Sequence, residues 1–533
     1  MHQVRIATTF LGLCLWAGAG TAQILGDNEV WIGQVGNENQ LVVEQEGRVN
    51  RAGGDSVWLM LGQEGSENRL QLRQTGYRNT FATWFAAEDD RYAKGAWQRG
   101  NGNRINIEQV SEDPVEGYNA IGSVQQSGPL VAGNAPHNLL TVMQRAAAGG
   151  AGQHIVGRVV QDAREGVNEA QIEQLGGGAG EGNTLANLRQ IGGFNRALVV
   201  QDGAANQIGL DVRRDSLPID GIVQEGGGHR LHVLQEGRSN LINGLRQTGA
   251  HHLLDADLRG EGNTLFWVDQ DNRERAGQLG APSIGNVARV SIEGNGNGAE
   301  MLGSRVPTLA AASELRQFGD ANQLQLTIIG ADDTRFAMAQ DGDSNGGEII
   351  VQGSTQMQVR GNDTALYQLG DYNAAKIELY GSDNAASTSQ SGDHGQVTLL
   401  ARGDANYLRA SQQGDHNRAT VTITGNGNGL WSPLASGLAP QSRFQDFTGR
   451  HGLFAGHIRQ TASAESAFGG NAVQLSVLGD ANGFAIDQLG ERHIVAAFIT
   501  GQSNSLAIRQ SGAANEVEMH QTGDFNFVSI EQD

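Results

Sequence analysis

The side chains whose type and spacing stand out are amides. Gln34, Gly36, Asn39 and Gln45 open a pattern, Gln-x-Gly-x-x-Asn-x-φ-x-φ-x-Gln with φ apolar, that recurs through the 533 residues. The core of it, Gln-x-Gly-x-x-Asn, occurs 14 times without change. Later copies run through Asn195, Gln201 and Asn206, and through Gln510, Asn515, Gln521, Asn526 and Gln532. Asn471, Asn482, His493, Asn504, Asn515 and Asn526 follow one another at intervals of 11. An amide holds both donors and an acceptor, so identical amides one layer apart can bond into a ladder. That chemistry is self-recognition, and these twelve positions (Gln34, Gly36, Asn39, Gln45, Asn195, Gln201, Asn206, Gln510, Asn515, Gln521, Asn526, Gln532) are the candidate self-assembly ladder. His229, His252 and His493 stand where the register expects Asn.

Other groupings reduce to the same repeat. Asp341, Asp343, Asn345 and Gly346 match the start of a calcium-binding EF-hand loop, but the position that needs a bidentate Glu is Gln352. Gln340, Gly342 and Asn345 are simply the repeat. Arg402-Gly403-Asp404 spells an adhesion tripeptide, yet Gly403 and Asp404 are what the turn register calls for. His251-His252 lacks a third metal ligand. Glu88, Asp89 and Asp90 form an acidic run with no spacing that singles out a catalytic pair. There is no Gly-x-Ser-x-Gly, no phosphate-binding loop followed by Lys and no His-Glu-x-x-His. The sequence therefore implies no enzyme, no cofactor and no metal.

The amides need elements that hold them at a constant interval. Asn-x-φ-x-φ-x-Gln alternates with period two, so Asn, both apolar residues and Gln share one side of a strand. Gln-x-Gly-x-x-Asn is then the turn, with Gly free to take positive φ. Two 11-residue halves make a 22-residue coil of strand, turn, strand, turn. Stacked coils, each rising about 4.8 Å, give an all-β solenoid with a thin core and loop excursions. A helix is excluded because the apolar residues lie two apart.

The expected excursions are 80–97, 111–137, 211–222, 271–285, 300–313 and 430–468. The last holds Trp431, Phe444, Phe447 and Phe454 and reads as a segment packed over the solenoid's side. All eight prolines fall outside clean repeat strands, as the loss of a ladder donor requires. The organisation expected is a leader at 1–22, repeats at 23–429, an insertion at 430–468 and repeats at 469–533. The terminal repeat, ending at Gln532 and Asp533, reads as a bare edge open to docking.

Composition narrows the class. The chain has 77 Gly, 8 Pro and 38% apolar residues, which is poor material for several conventional cores. A net charge of −21 makes nucleic acid a poor partner. Residues 1–22 combine Arg5, an apolar stretch from Ile6 to Ala17 and the small residues Gly20-Thr21-Ala22, the marks of a secretory leader. Its apolar run is too short to span a membrane, and no other segment is apolar enough to do so. The only cysteine, Cys14, lies inside the leader, so the secreted chain has no disulfides.

The Gln-x-Gly-x-x-Asn-x-φ-x-φ-x-Gln unit resembles the curlin repeat of bacterial curli subunits. The resemblance covers most of 30–429 and 469–533. It implies a protein secreted through an outer-membrane pore to the bacterial outer surface, where it polymerises into amyloid fibres for adhesion or biofilm matrix. Its implied partners are other copies, other curlin-like subunits and the secretion machinery. This chain differs from typical curlins in its length and its interruptions. The alternative reading is a monomeric β-solenoid adhesin or polysaccharide-binding module whose interruptions carry the ligand site.

Overall fold

In the computed structural model the chain divides into two compact units, Met1–Gly285 and Asn286–Asp533. The described residues are 2–4, 28–54, 59–82, 95–112, 118–129, 137–147, 153–164, 166–176, 182–209, 221–273, 283–298, 313–353, 359–429, 439–462 and 469–533. Most of the leader, together with Trp431, Glu88, Asp89 and Asp90, lies outside them.

Each unit is a stack of parallel strands joined by turns, as the period-two alternation requires. In the first unit one row runs Gln40–Arg48, Arg69–Tyr77, Arg104–Ser111, Asn138–Ala146 and Asn168–Gln174, paired parallel in that order. Leu70 and Leu72 stand in register with Ile105 and Ile107, and these with Leu140 and Val142, all buried. A second row begins Ile32–Val35, Leu61–Glu64, Ala96–Arg99 and continues through Tyr118–Ser127, Gln153–Ala163 and Thr184–Gly193. His2–Val4 pairs antiparallel with Val43–Gln45, on the side of Gln40–Arg48 away from Arg69–Tyr77.

In the second unit one row comprises Glu314–Phe318, Arg335–Asp341, Asp363–Leu369, Ala385–Ser391, Tyr407–Gln413, His457–Thr461, Gly483–Glu491, Ser505–Ala513 and Phe527–Gln532. The other includes Gln396–Arg402, Arg418–Thr424, Ala472–Leu478, Ile494–Thr500 and Glu516–Thr522. Among the described residues nothing stacks on the far side of Glu516–Thr522 or of Phe527–Gln532.

The 22-residue coil is kept only where no segment interrupts it. Successive ladder glutamines are 22 apart at Gln368–Gln390–Gln412 and Gln488–Gln510–Gln532, but 48 apart at Gln412–Gln460. In the first unit the interval ranges from 23, at Gln224–Gln247, to 35, at Gln63–Gln98. Insertions leave at turns, where they cost no ladder bond, and the strands resume in register.

Three of the expected excursions are narrower than the sequence suggests, since 430–468 includes the ladder strand His457–Thr461. Tyr118–Ser127, inside 111–137, is a full strand, Thr80–Phe81 lies at the start of 80–97, and Ala96–Arg99 begins before its end. Tyr118–Ser127 and Ala96–Arg99 lack the leading Gln-x-Gly but keep an inward apolar residue and Gln, whereas Thr80–Phe81 follows the intact lead Gln74, Gly76, Asn79.

The 430–468 segment carries a helix, Ala439–His451. Arg450 and His451 sit in its last turn, where positive charge suits the exposed carbonyls. Gly452, at φ +62°, ends it, and the Leu453 N–H returns to the Thr448 carbonyl at 2.8 Å. Phe444, Phe447, Leu453 and Ala455 pack on Ala485 and Ala507 with Phe527 alongside. Ala485 and Ala507 point out of the sheet, and their small side chains let the helix approach.

Candidate functional site

Within the chain, side-chain amides of successive coils bond to one another in most coils. In the first unit Gln34 Nε2 donates to Gln63 Oε1 at 2.5 Å, Gln63 to Gln98 at 2.7 Å, Gln98 to Gln126 at 2.9 Å and Gln126 to Gln161 at 2.8 Å. Beside it Gln45 donates to Gln74 at 2.7 Å and Gln74 to Gln109 at 2.8 Å. In the second unit the chain of donors runs from Gln317 to Gln532, with Gln488 to Gln510 at 3.0 Å and Gln510 to Gln532 at 2.9 Å. Every one of these donates from the earlier coil to the later. The ladder therefore has a polarity, with an acceptor Oε1 facing its N-terminal end and a donor Nε2 facing its C-terminal end.

Asparagine does two jobs at each turn. Asn39 Oδ1 accepts the backbone N–H of Asn68 at 3.0 Å, while its Nδ2 donates to the carbonyls of Val35, at 3.2 Å, and Gly65, at 2.9 Å. The same arrangement holds at Asn195 with Ile191 and Gly226, and at Asn206 with Asp202 and Gly237. Asn526 receives no N–H from a further coil, but its own N–H reaches Asn504 Oδ1 at 3.0 Å. Close stacking explains the glycine two residues after Gln. At Gly36, φ is +113° and an added Cβ would lie 1.9 Å from the Gly65 carbonyl oxygen. At Gly523, in the last coil, nothing presses closer than 3.4 Å.

Histidine substitutes for asparagine atom by atom. His229 Nδ1 accepts the His252 N–H at 3.3 Å, in the role of Asn Oδ1. Its Nε2 faces the Glu225 carbonyl at 3.2 Å, in the role of Asn Nδ2, which places the proton on Nε2. His493 repeats this with the Asn515 N–H at 3.3 Å and the Leu489 carbonyl at 3.2 Å. His154 does the same with the Asn183 N–H at 3.2 Å and the Arg145 carbonyl at 3.1 Å. The sequence reading missed His154, because Gln144 precedes it by ten residues in place of the usual five.

Two candidate ladder residues depart from the pattern. At Gln201 the direction is reversed: Gln235 Nε2 donates back to Gln201 Oε1 at 2.9 Å. The backbone there is twisted, with Val200 at φ +101° and Gln201 at φ +61°. Gln521 has no amide beneath it at all. The column under it reads Ala401, Ile423, Val477 and Ile499. Gln521 is 5% exposed, yet neither its Oε1 nor its Nε2 has a hydrogen-bond partner. A buried amide in that state costs about 1–3 kcal/mol.

The other groupings are occupied by the stack. Asp343 Oδ1 accepts the Asp320 N–H at 2.9 Å, and Asn345 lies in the asparagine ladder. Asp404 Oδ1 accepts the Ser382 N–H at 2.7 Å, so the adhesion tripeptide is a turn. Among the described residues no group of three or more His, Cys, Asp or Glu is placed to hold a metal ion, and no helix is long and apolar enough to cross a membrane.

No curated protein matches the chain. The sequence profile of the curlin associated repeat matches residues 403–430 and 501–533. Both segments lie in the second unit, where coils are closest to 22 residues. In these two segments the chain carries curlin associated repeats, and the same amide ladders run through both units.

Proposed function

We propose that this chain is a secreted, non-enzymatic structural protein that stacks copy on copy into an extracellular amyloid-like fibre, for adhesion or biofilm matrix. The observation that carries the reading is Gln521, a buried amide with no partner, on a strand that no described strand covers on its far side. Its own column is apolar, so its side chain suits the coil that would come next.

Continuing the spiral by one half-coil puts Glu29–Val35 of a second copy on Glu516–Thr522, and Gln40–Arg48 on Phe527–Gln532. Gln521 then meets Gln34, and Gln532 meets Gln45. The polarity agrees. Gln34 and Gln45 donate onward through Nε2 and leave Oε1 facing back. The Asn28 and Asn39 N–H groups would fall on Asn515 and Asn526 Oδ1. Loss of the leader after Ala22 would also remove His2–Val4 from the edge of Gln40–Arg48. Export through an outer-membrane pore to the cell surface is part of the same reading and rests on the curlin associated repeats.

The test is to dilute residues 23–533 from denaturant and follow aggregate mass and fibre diffraction. Seeded growth with reflections near 4.8 and 10 Å supports the proposal. A stable, seed-insensitive monomer sinks it. That outcome would favour a monomeric adhesin or polysaccharide-binding module. A cavity of about 350 Å³ on the second unit, lined in part by Glu314, Arg316, Phe318, Tyr367, Leu369 and Ser389, is where its ligand would be sought.

A further inference from the structure

The first unit contains two consecutive coils whose asparagine slot is filled by histidine. His229 and His252 are fully buried, with ring centroids 5.1 Å apart and planes within 2° of parallel. Both are tied into the ladder. The His229 N–H donates to Asn195 Oδ1 at 3.3 Å, and the His252 N–H donates to His229 Nδ1 at 3.3 Å. The two Nε2 atoms face the carbonyls of Glu225, at 3.2 Å, and Thr248, at 2.8 Å.

An asparagine in this slot cannot titrate, but an imidazole can. Only the neutral ring with its proton on Nε2 satisfies these bonds. A proton added at Nδ1 of His229 would point at the N–H of His252, turning an acceptor into a second donor. Two charged rings would also sit 5.1 Å apart in a fully buried slot.

We infer that the His229–His252 pair is an acid-sensitive latch: it closes the stack between two coils of the first unit while both rings are neutral, and protonation parts them.

The surroundings supply little to hold a charged ring. His251, beside His252, adds like charge if protonated. Glu225 and Arg230 flank His229 in its own coil, and Arg196 follows Asn195 on the coil before. On the following coil Asp271 is engaged by Arg273 at 2.5 Å. Burial, first, and the neighbouring His252, second, push the His229 imidazole down from 6.5 to about 3. Below pH 6.5 the unfolded imidazole binds a proton that the folded one refuses. Stability present above pH 6.5 is therefore lost progressively as pH falls towards 3. Each ring that titrates in this way raises the opening equilibrium up to about tenfold per pH unit. His154 carries the same bonds and is likewise pushed down by burial.

The inference does not depend on fibre formation and is tested on the unassembled full chain. Amide hydrogen exchange, corrected for intrinsic rate, is followed by mass spectrometry from pH 7 to pH 3.5. Peptides within 221–256 report the latch, and peptides within 396–424 serve as the control. The expected result is a loss of protection in the first set by at least tenfold at pH 5 relative to pH 7, ahead of the control. The double variant His229→Asn/His252→Asn restores the amide that the column uses elsewhere and should keep its protection over the same range. Each single variant should fall between. Equal acid loss in the native chain and the double variant, or simultaneous loss in both sets of peptides, overturns the inference. If the double variant is unprotected at pH 7, the single variants carry the decision by the same criterion.

Discussion

Replacing Gln521 with isoleucine should make the folded chain more stable and the fibre less so. Beneath Gln521 lie Ile499, Val477 and Ile423, so isoleucine continues an apolar column. The change removes an amide whose two polar atoms are buried without partners. That relieves about 1–3 kcal/mol in the single chain. At the proposed junction the same change takes away the donor for Gln34 Oε1 of the next copy and strands that acceptor. The cost there is again about 1–3 kcal/mol, and about 1.4 kcal/mol already corresponds to tenfold in an equilibrium constant. The assay pairs two measurements on one protein. Urea unfolding under conditions that keep it monomeric should show a higher midpoint, and the soluble concentration left at the end of seeded growth should rise about tenfold. Few substitutions move these two quantities in opposite directions. A lower midpoint would refute the account of the apolar column. An unchanged soluble concentration would refute the junction, whatever happened to the midpoint.

Charge should act as a brake on stacking, because the chain carries −21 and the leader's loss would remove one further positive charge. Growth should therefore accelerate between about 0.01 and 0.15 M salt as the screening length shrinks from about 30 to 8 Å, and salt-independent kinetics would remove charge as the cause. Deleting 469–533 removes Gln510, Gln521 and Gln532 together and should slow seeded growth strongly; unchanged kinetics would show that the junction lies elsewhere. Phe447→Ala opens a cavity where the helix meets Ala485 and Ala507, at a cost of about 3–5 kcal/mol, and should release Ala439–His451 to rapid hydrogen exchange while the strands beneath stay protected.

The repeat was legible because each position has a single physical demand. Period two assigns the strand, positive φ assigns Gly36, and the need for paired donors and acceptors assigns Asn39 and Gln45. What escaped was whatever the spacing did not state. His154 sits behind a lengthened turn, so its distance from Gln144 hides its slot. Tyr118–Ser127 enters without the Gln-x-Gly lead, yet Gln126 donates to Gln161 at 2.8 Å like any ladder residue. The helix at Ala439–His451 follows from tertiary packing on Ala485 and Ala507, which no local pattern announces. The peculiarity of Gln521 was within reach. Its motif is perfect, and only the residues 22 and 44 positions earlier, Ile499 and Val477, show that its neighbour is not an amide. A strong local repeat hid a mismatch between layers.

Acid brings the two halves of the argument into opposition. Falling pH neutralises carboxylates near their usual range of about 4, which weakens the repulsion between copies and favours stacking. The same fall protonates unfolded imidazoles that His229 and His154 resist when folded, which draws the first unit open. The first effect acts at the surface and the junction, and the second acts within a copy. Growth against pH should therefore pass through a maximum between about pH 7 and pH 4, with the acid side set by the histidines. His229→Asn/His252→Asn should leave the neutral side in place and move the maximum to lower pH. A maximum unmoved by that exchange would place the acid limit in the junction, and one that shifted upward would contradict the sign of the linkage itself.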